Sequence, residues 1–337
     1  MNWTDREPVT KAFIVGMSDT VQYHLVNTIL GALCTVVNMF LLFIFLVSPS
    51  LRRKCEVLIV LCVADGFNCF SIMLMGLNRV LLYTEVIETL SIPIRTQWEC
   101  AVEPWIIFRG YGDLWPPTVQ SLMGVERCVA VFDPIRYNRR SSRRCTGWFF
   151  LGTLVLVTLA LAVGFVCAWL TRDQKVKYWC GRKAAFGNTY ASFIYAANIF
   201  GYLIGFSLTV ISYFKSKLWL NSSYAKEQLA RIRYHMLISV LSIVLISVPN
   251  GLSLFAQYVA NVADAIAKPS TYLTCVNSAI NIFVYLLLNQ EFRSEFRRII
   301  LRQKSPVISG PPMTVTMVRT QAPRRSHISH ISTVGLI

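Results

Sequence analysis

The chain alternates long apolar stretches with short clusters of charge. Seven apolar runs can be marked, at roughly residues 24–47, 56–82, 101–130, 148–170, 190–214, 234–260 and 269–288; the second, third and sixth carry more polar residues than the others. Each is close to or above the ~20 residues that take a helix across a bilayer. Lipid offers no water to unpaired backbone, so spans of this length are expected to be helices rather than open strands. The pattern predicts an all-α membrane protein, a bundle of seven transmembrane helices over 24–288. Residues 1–23 precede it. A short amphipathic surface helix is expected over 289–301, with Phe292, Phe296, Ile299 and Ile300 on one face and Arg293, Arg297 and Arg298 on or beside the other. The segment 302–337, with SGPP, APRRS and scattered Ser and Thr, reads as a disordered tail.

Composition agrees with a membrane class. Hydrophobic residues make up 54% of the 337 and charged residues 15%, with mean hydropathy +0.50. A soluble domain carries about 25% charged residues. The basic residues set the expected orientation. Twenty-one of the 33 Lys and Arg fall in 48–54, 131–147, 215–233 and the tail after Asn289. Because Lys and Arg favour the cytoplasmic side, the N-terminus is expected outside and the C-terminus inside. The loop 171–190 runs against this, with five basic residues facing out. The net charge of +16 is spread over cytoplasmic loops, which favours membrane lipid over nucleic acid as its partner.

Residues 1–23 lack the compact apolar core of a cleaved signal, so the first span is expected to direct insertion. Asn2-Trp3-Thr4 is a glycosylation sequon on the expected outer side. Most of the ten cysteines lie inside spans, where cysteine serves as a small core residue. Cys100, at the outer mouth of the third span, and Cys180, in the outer loop before the fifth, face an oxidising compartment and are expected to pair. Two free thiols are the alternative.

The stretch LMGVERCVAVFDPIRY, residues 122–137, sets Glu126 beside Arg127 at the inner end of the third apolar run, followed by Pro134 and Tyr137. Seven spans, an outer N-terminus, an outer cysteine pair and this stretch resemble the rhodopsin-like G-protein-coupled receptors. That family ends its third helix in Asp/Glu-Arg-Tyr and follows it with a Pro-Leu-Arg-Tyr-like turn. NSAINIFVYLLLNQEFRSEFRR, residues 277–298, resembles the family's Asn-Pro-x-x-Tyr segment and the surface helix after it. LCVADG (61–66), Asn38 and Pro249 stand where the second, first and sixth spans of the family carry Leu-x-x-x-Asp, an Asn and a kink proline. The seventh span lacks the proline of its motif, the sixth has Ser247 in place of a tryptophan, and the fifth has Gly205 rather than proline eight residues before Tyr213. Such a set is most similar to nematode serpentine chemoreceptors.

The resemblance implies a chemosensory receptor of the plasma membrane that passes binding of an extracellular small molecule or peptide to a heterotrimeric G protein. It implies a switch in which Glu126 holds Arg127 at rest, with Pro134, Tyr137, Tyr213 and Tyr285 around it. The bland alternative is a pair of interfacial anchors, with Tyr137 at headgroup level. It also implies a hydrated polar network of Asn38, Asp65, Asn277, Ser278 and Asn281, which in many members holds a sodium ion. Here Pro116 takes the position of a serine and Pro117 follows, which argues against sodium; no other cofactor is expected. Arg109 stands where amine-binding members carry Asp, which points to an anionic or carbonyl-bearing ligand. Asp113 at i+4 equally reads as a structural partner that neutralises it. Arg79, Glu103 and Gln257 complete the expected ligand mouth.

No nucleophile–base pair or metal-ligand spacing appears, so no enzyme is expected; His24, His235, His327 and His330 are dispersed. A seven-span ligand-gated channel of the insect odorant-receptor kind, or a transporter, are the alternatives. Neither couples to a G protein.

Overall fold

A computed structural model of the chain describes residues 6–135, 137, 146–218, 223–256 and 263–300. The expected spans are helices. Span one is α1 (Met17–Val47) and span two α3 (Glu56–Thr89), joined by the short α2 (Pro49–Lys54) at the end of the bundle that is inner in the expected orientation. Ser48 caps α2 by accepting from the Leu51 amide at 3.4 Å, and Pro49 opens it, where a missing N–H costs nothing. After α4 (Gln97–Ala101), span three is α5 (Pro104–Phe132) and span four α6 (Thr146–Leu170). Span five is α7 (Arg182–Leu218). Span six joins α8 (Ser223–Ser242), a π-turn over Ile243–Ser247 and α9 (Val248–Ala256). Span seven is α10 (Ala263–Leu288), followed by α11 (Gln290–Ile300).

Six of the described helices are long and apolar enough to cross a membrane. Span three is long enough, at 29 residues, but carries Arg109, Asp113, Glu126 and Arg127. It is also among the most enclosed spans: Arg109, Asp113, Trp115, Pro116, Pro117, Gln120 and Arg127 are all buried. Pro116 and Pro117 sit inside α5, which stays helical through them. Spans three and five meet backbone to backbone. A Cβ added at Gly205 would stand 2.6 Å from the Gln120 carbonyl oxygen, and one at Gly124 would stand 2.7 Å from that of Gly205. Small residues permit this approach where helices gain little from hydrophobic association.

The helices overrun the apolar runs, mostly at their outer ends. Span one begins at Met17 rather than near residue 24, and span two continues to Thr89 rather than 82. Span five begins at Arg182, inside the stretch expected to be loop, and breaks at Gly187 with φ 80 and ψ 168. A residue with a Cβ is strained there. At the opposite end of the bundle, outer in that orientation, β1 (Arg6–Pro8) pairs antiparallel with β2 (Ser91–Pro93), and β3 (Arg95–Thr96) with β4 (Lys175–Val176). Thr96 and Glu99 form a capping box on α4, which presents the buried Cys100. Cys100 and Cys180 are disulfide-bonded across a Cα separation of 5.2 Å, as expected.

The surface helix α11 is where the amphipathic pattern placed it. Phe292 is fully buried, its ring centroid 5.6 Å from Phe45 and 5.7 Å from Tyr285. Beside it Glu295 accepts from Ser48 at 2.6 Å, and Glu291 accepts from Ser50 and forms an ion pair with Lys54 at 3.0 Å. The helix is thus pinned by aromatic packing and by the caps of the first inner loop.

Candidate functional site

At the inner end of span three, Arg127 Nη2 lies 2.6 Å from Glu126 Oε2, and Nε donates to the same oxygen at 3.2 Å. The side chains are 4% and 12% exposed, so the pair is folded into the bundle end rather than set in water as isolated anchors would be. Arg127 Nη1 is buried and has no hydrogen-bond partner among the described residues. After the cap at Asp133 the chain makes one more turn through Pro134, in which the Tyr137 amide bonds the Asp133 carbonyl at 3.0 Å. That turn returns Tyr137, whose hydroxyl donates to Glu126 Oε1 at 2.8 Å. The ring turns back onto the Glu126 oxygen that Arg127 leaves unused, eleven residues earlier in the chain. Burial and the Glu126 charge push the Tyr137 phenol up from its ordinary range, so it remains a donor.

Span six faces this pair with Tyr234 and His235, both buried. Both ring nitrogens of His235 are without a hydrogen-bond partner among the described residues. Above them Gln120 Nε2 donates to Ser239 Oγ at 2.7 Å, a direct tie between spans three and six. Tyr285 is buried with its edge to Tyr234, centroids 6.0 Å apart, and to Phe45 at 5.6 Å. Tyr213 is half-buried with its ring edge against Phe214, and its described contacts do not include Arg127. Pro249 follows the π-turn closely. Proline cannot donate to the carbonyl four residues back, and a π-turn is one way a helix absorbs that loss. Asn250 Nδ2 donates to the Ile246 carbonyl at 2.9 Å.

In mid-bundle, Asp65 is 2% exposed and accepts from Asn281 Nδ2 at 2.8 Å and Ser278 Oγ at 3.2 Å. Asn277 is buried on the same face of span seven. Asn38 turns elsewhere: its Nδ2 donates to the Cys34 carbonyl at 2.9 Å, and its Oδ1 has no partner. Hard cations take a cage of oxygens. Span three brings Pro116 to this level, one turn below Gly112, which packs against Asn68. It supplies no hydroxyl.

At the outer mouth, Arg109 Nη2 pairs with Asp113 Oδ1 at 2.8 Å, and its Nη1 donates to Asn68 Oδ1 at 3.0 Å. Arg182 Nη1 approaches Asp113 Oδ2 at 3.1 Å, an ion pair off the geometry of a hydrogen bond. Arg79 donates to the Cys180 carbonyl and lies between the rings of Trp105 and Trp179, at 5.2 and 4.8 Å. Glu103 is buried in an ion pair with Arg95. Arg79 and Glu103 thus hold the outer loop in place. Gln257 and Asn2 lie outside the described residues. A groove of about 540 Å³ opens elsewhere, between the inner halves of spans three and four and the middle of span five, with Leu122, Val125, Trp148 and Leu156 on its walls. The hydroxyls of Thr118 and Ser121 in it are spent on backbone carbonyls.

Residues 31–300 match the family described as serpentine type 7TM GPCR chemoreceptor Srsx. The chain belongs to that family. It is also similar to the Mas-related G-protein coupled receptor member B2 of Mus musculus, with 26% identity over 192 residues. That match covers 55% of this chain and 53% of the relative, so the chain spans about half the length of the curated relative it matches. In this serpentine chemoreceptor the expected switch pair, Tyr137, and the Asp65–Ser278–Asn281 set are brought together, while Asn38 and Tyr213 stand apart. Sequence reasoning missed Asn68, Arg182, Tyr234 and His235. A buried polar residue in a span is itself a signal, and Asn68 carried it. Arg182 gave none, because it sits in a stretch that reads as an outer loop.

Proposed function

We propose that the chain is a chemosensory receptor of the plasma membrane, N-terminus outside and C-terminus in the cytoplasm, that couples to a heterotrimeric G protein. A small molecule or short peptide enters from outside beneath the loop held by Cys100 and Cys180. It favours a state in which span six swings out at the π-turn and Pro249. Glu126 then releases Arg127, and Tyr213 and Tyr285 move into the space opened for the G-protein α-subunit. A ligand shifts such an equilibrium only by its differential affinity for the two states.

The observation that supports this best is Arg127, buried and held by Glu126 with Nη1 uncommitted, a donor ready for an incoming acceptor. Asp65, Ser278 and Asn281 connect spans two and seven as a polar hinge, with Asn277 beside them. Arg293, Arg297 and Arg298 face anionic lipid, and Asn2 is glycosylated. The test is ligand-dependent nucleotide exchange on a promiscuous Gα, with epitope accessibility in unpermeabilised cells. Exchange that no ligand pool stimulates, or outside staining of a tag at Ile337, refutes the reading.

A further inference from the structure

The charges in the outer half of the bundle do not balance around Asp113. Arg109 and Arg182 share this one carboxylate, at 2.8 and 3.1 Å. Arg95 is matched by Glu103, and Arg79 is held by a carbonyl and two indoles rather than by an acid. A charge left uncompensated away from water is costly. Among the described residues, the set of two guanidiniums and one carboxylate is therefore one negative charge short of neutrality.

The two arginines are not equivalent. Arg109 is committed: one nitrogen serves Asp113 and another Asn68, and its side chain is 8% exposed. Arg182 is 24% exposed, its guanidinium 4.9 Å from the Tyr195 ring centroid, with Nη1 in ion-pair contact with Asp113. A guanidinium carries five N–H donors in a fork that matches a carboxylate, so Arg182 has capacity for a second anion. Its position is built. The disulfide at Cys180 and the Arg79 bond to the Cys180 carbonyl fix the chain two residues upstream. The break at Gly187 separates this inward-turned segment from the long helix of span five.

We infer that Arg182 is the anchor for the carboxylate of a monoanionic small molecule, with Tyr195 flanking its apolar body. One carboxylate completes a neutral set of two guanidiniums and two acids. A neutral ligand leaves the surplus. The inference rests on the receptor reading in placing the ligand at the outer mouth.

The test uses the full chain in neutral phosphatidylcholine nanodiscs, with straight-chain carboxylates from propionate to decanoate and their matched amides as probes. Thermal unfolding reads binding. At least one carboxylate raises the midpoint and its amide does not. Arg182→Gln weakens that carboxylate tenfold or more, and Arg182→Lys, which keeps the charge without the fork, retains part of the affinity. If Arg182→Gln does not fold, Tyr195→Leu takes its place: it lowers the midpoint shift given by that carboxylate, and an undiminished shift overturns the inference. No shift with any carboxylate, equal shifts with an amide, or full affinity in Arg182→Gln overturns the inference. The assay contains no G protein, so a chain that binds carboxylates through Arg182 yet drives no nucleotide exchange would count against coupling alone.

Discussion

Replacing Tyr137 by Phe removes one hydrogen bond and little else. The phenol donates to Glu126 Oε1 at 2.8 Å, while Arg127 uses Oε2, so the ion pair survives the substitution. Hydrogen bonds to charged groups contribute about 1.5–3 kcal/mol. Glu126 is 12% exposed and Tyr137 half-buried, so water recovers part of the bond and the lower end applies. If the pair opens on activation, the resting state loses about 1.4 kcal/mol, a factor of about ten in the ratio of resting to active receptor. A receptor active about 1% of the time at rest rises to about 9%. Ligand-independent GTPγS uptake on a promiscuous Gα, at matched surface expression, measures this directly. Basal exchange equal to that of the unmodified chain refutes the reasoning, because the bond then does not distinguish the two states. The same substitution made on Glu126→Gln adds less, since the two act through one contact.

Phe292→Ala empties a site enclosed by Phe45, Tyr285 and Phe296, and a cost of about 3–5 kcal/mol is expected, read as a lower melting midpoint and faster amide exchange across 290–300. Gly205→Ala drives a methyl group against the Gln120 carbonyl and separates spans three and five, costing about 1–3 kcal/mol by the same melting assay; an unchanged midpoint shows that the helices yield freely. At Glu291, burial opposes the charge, but the Ser50 bond and Lys54 outweigh it and hold the carboxyl below its ordinary 4.5. Its contribution to docking α11 is therefore complete above that pH and fades as pH falls through the lower folded value; amide protection in α11 falls with it, and Glu291→Gln makes the profile flat. Replacing sodium by choline at constant ionic strength leaves the melting midpoint unchanged, and a specific rise with sodium shows a cage that Pro116 does not prevent.

Much of this protein is legible from the order of its residues, because a bilayer sets the length of anything that crosses it and helices are the form a single run can take there. The spans, the inner pair at Glu126 and Arg127, the i,i+4 partnership of Arg109 with Asp113 and the apolar face of α11 all follow from local spacing. The outer helix ends do not, since α1 and α7 begin in sequence too polar to be read as span. Nor do the contacts that join distant segments: Tyr137 turned back onto Glu126, Arg79 between Trp105 and Trp179, Arg182 reaching Asp113. Periodicity reports which face of a helix is apolar. Only packing decides which polar groups meet, because buried donors and acceptors must be matched across helices and a change of angle selects different partners.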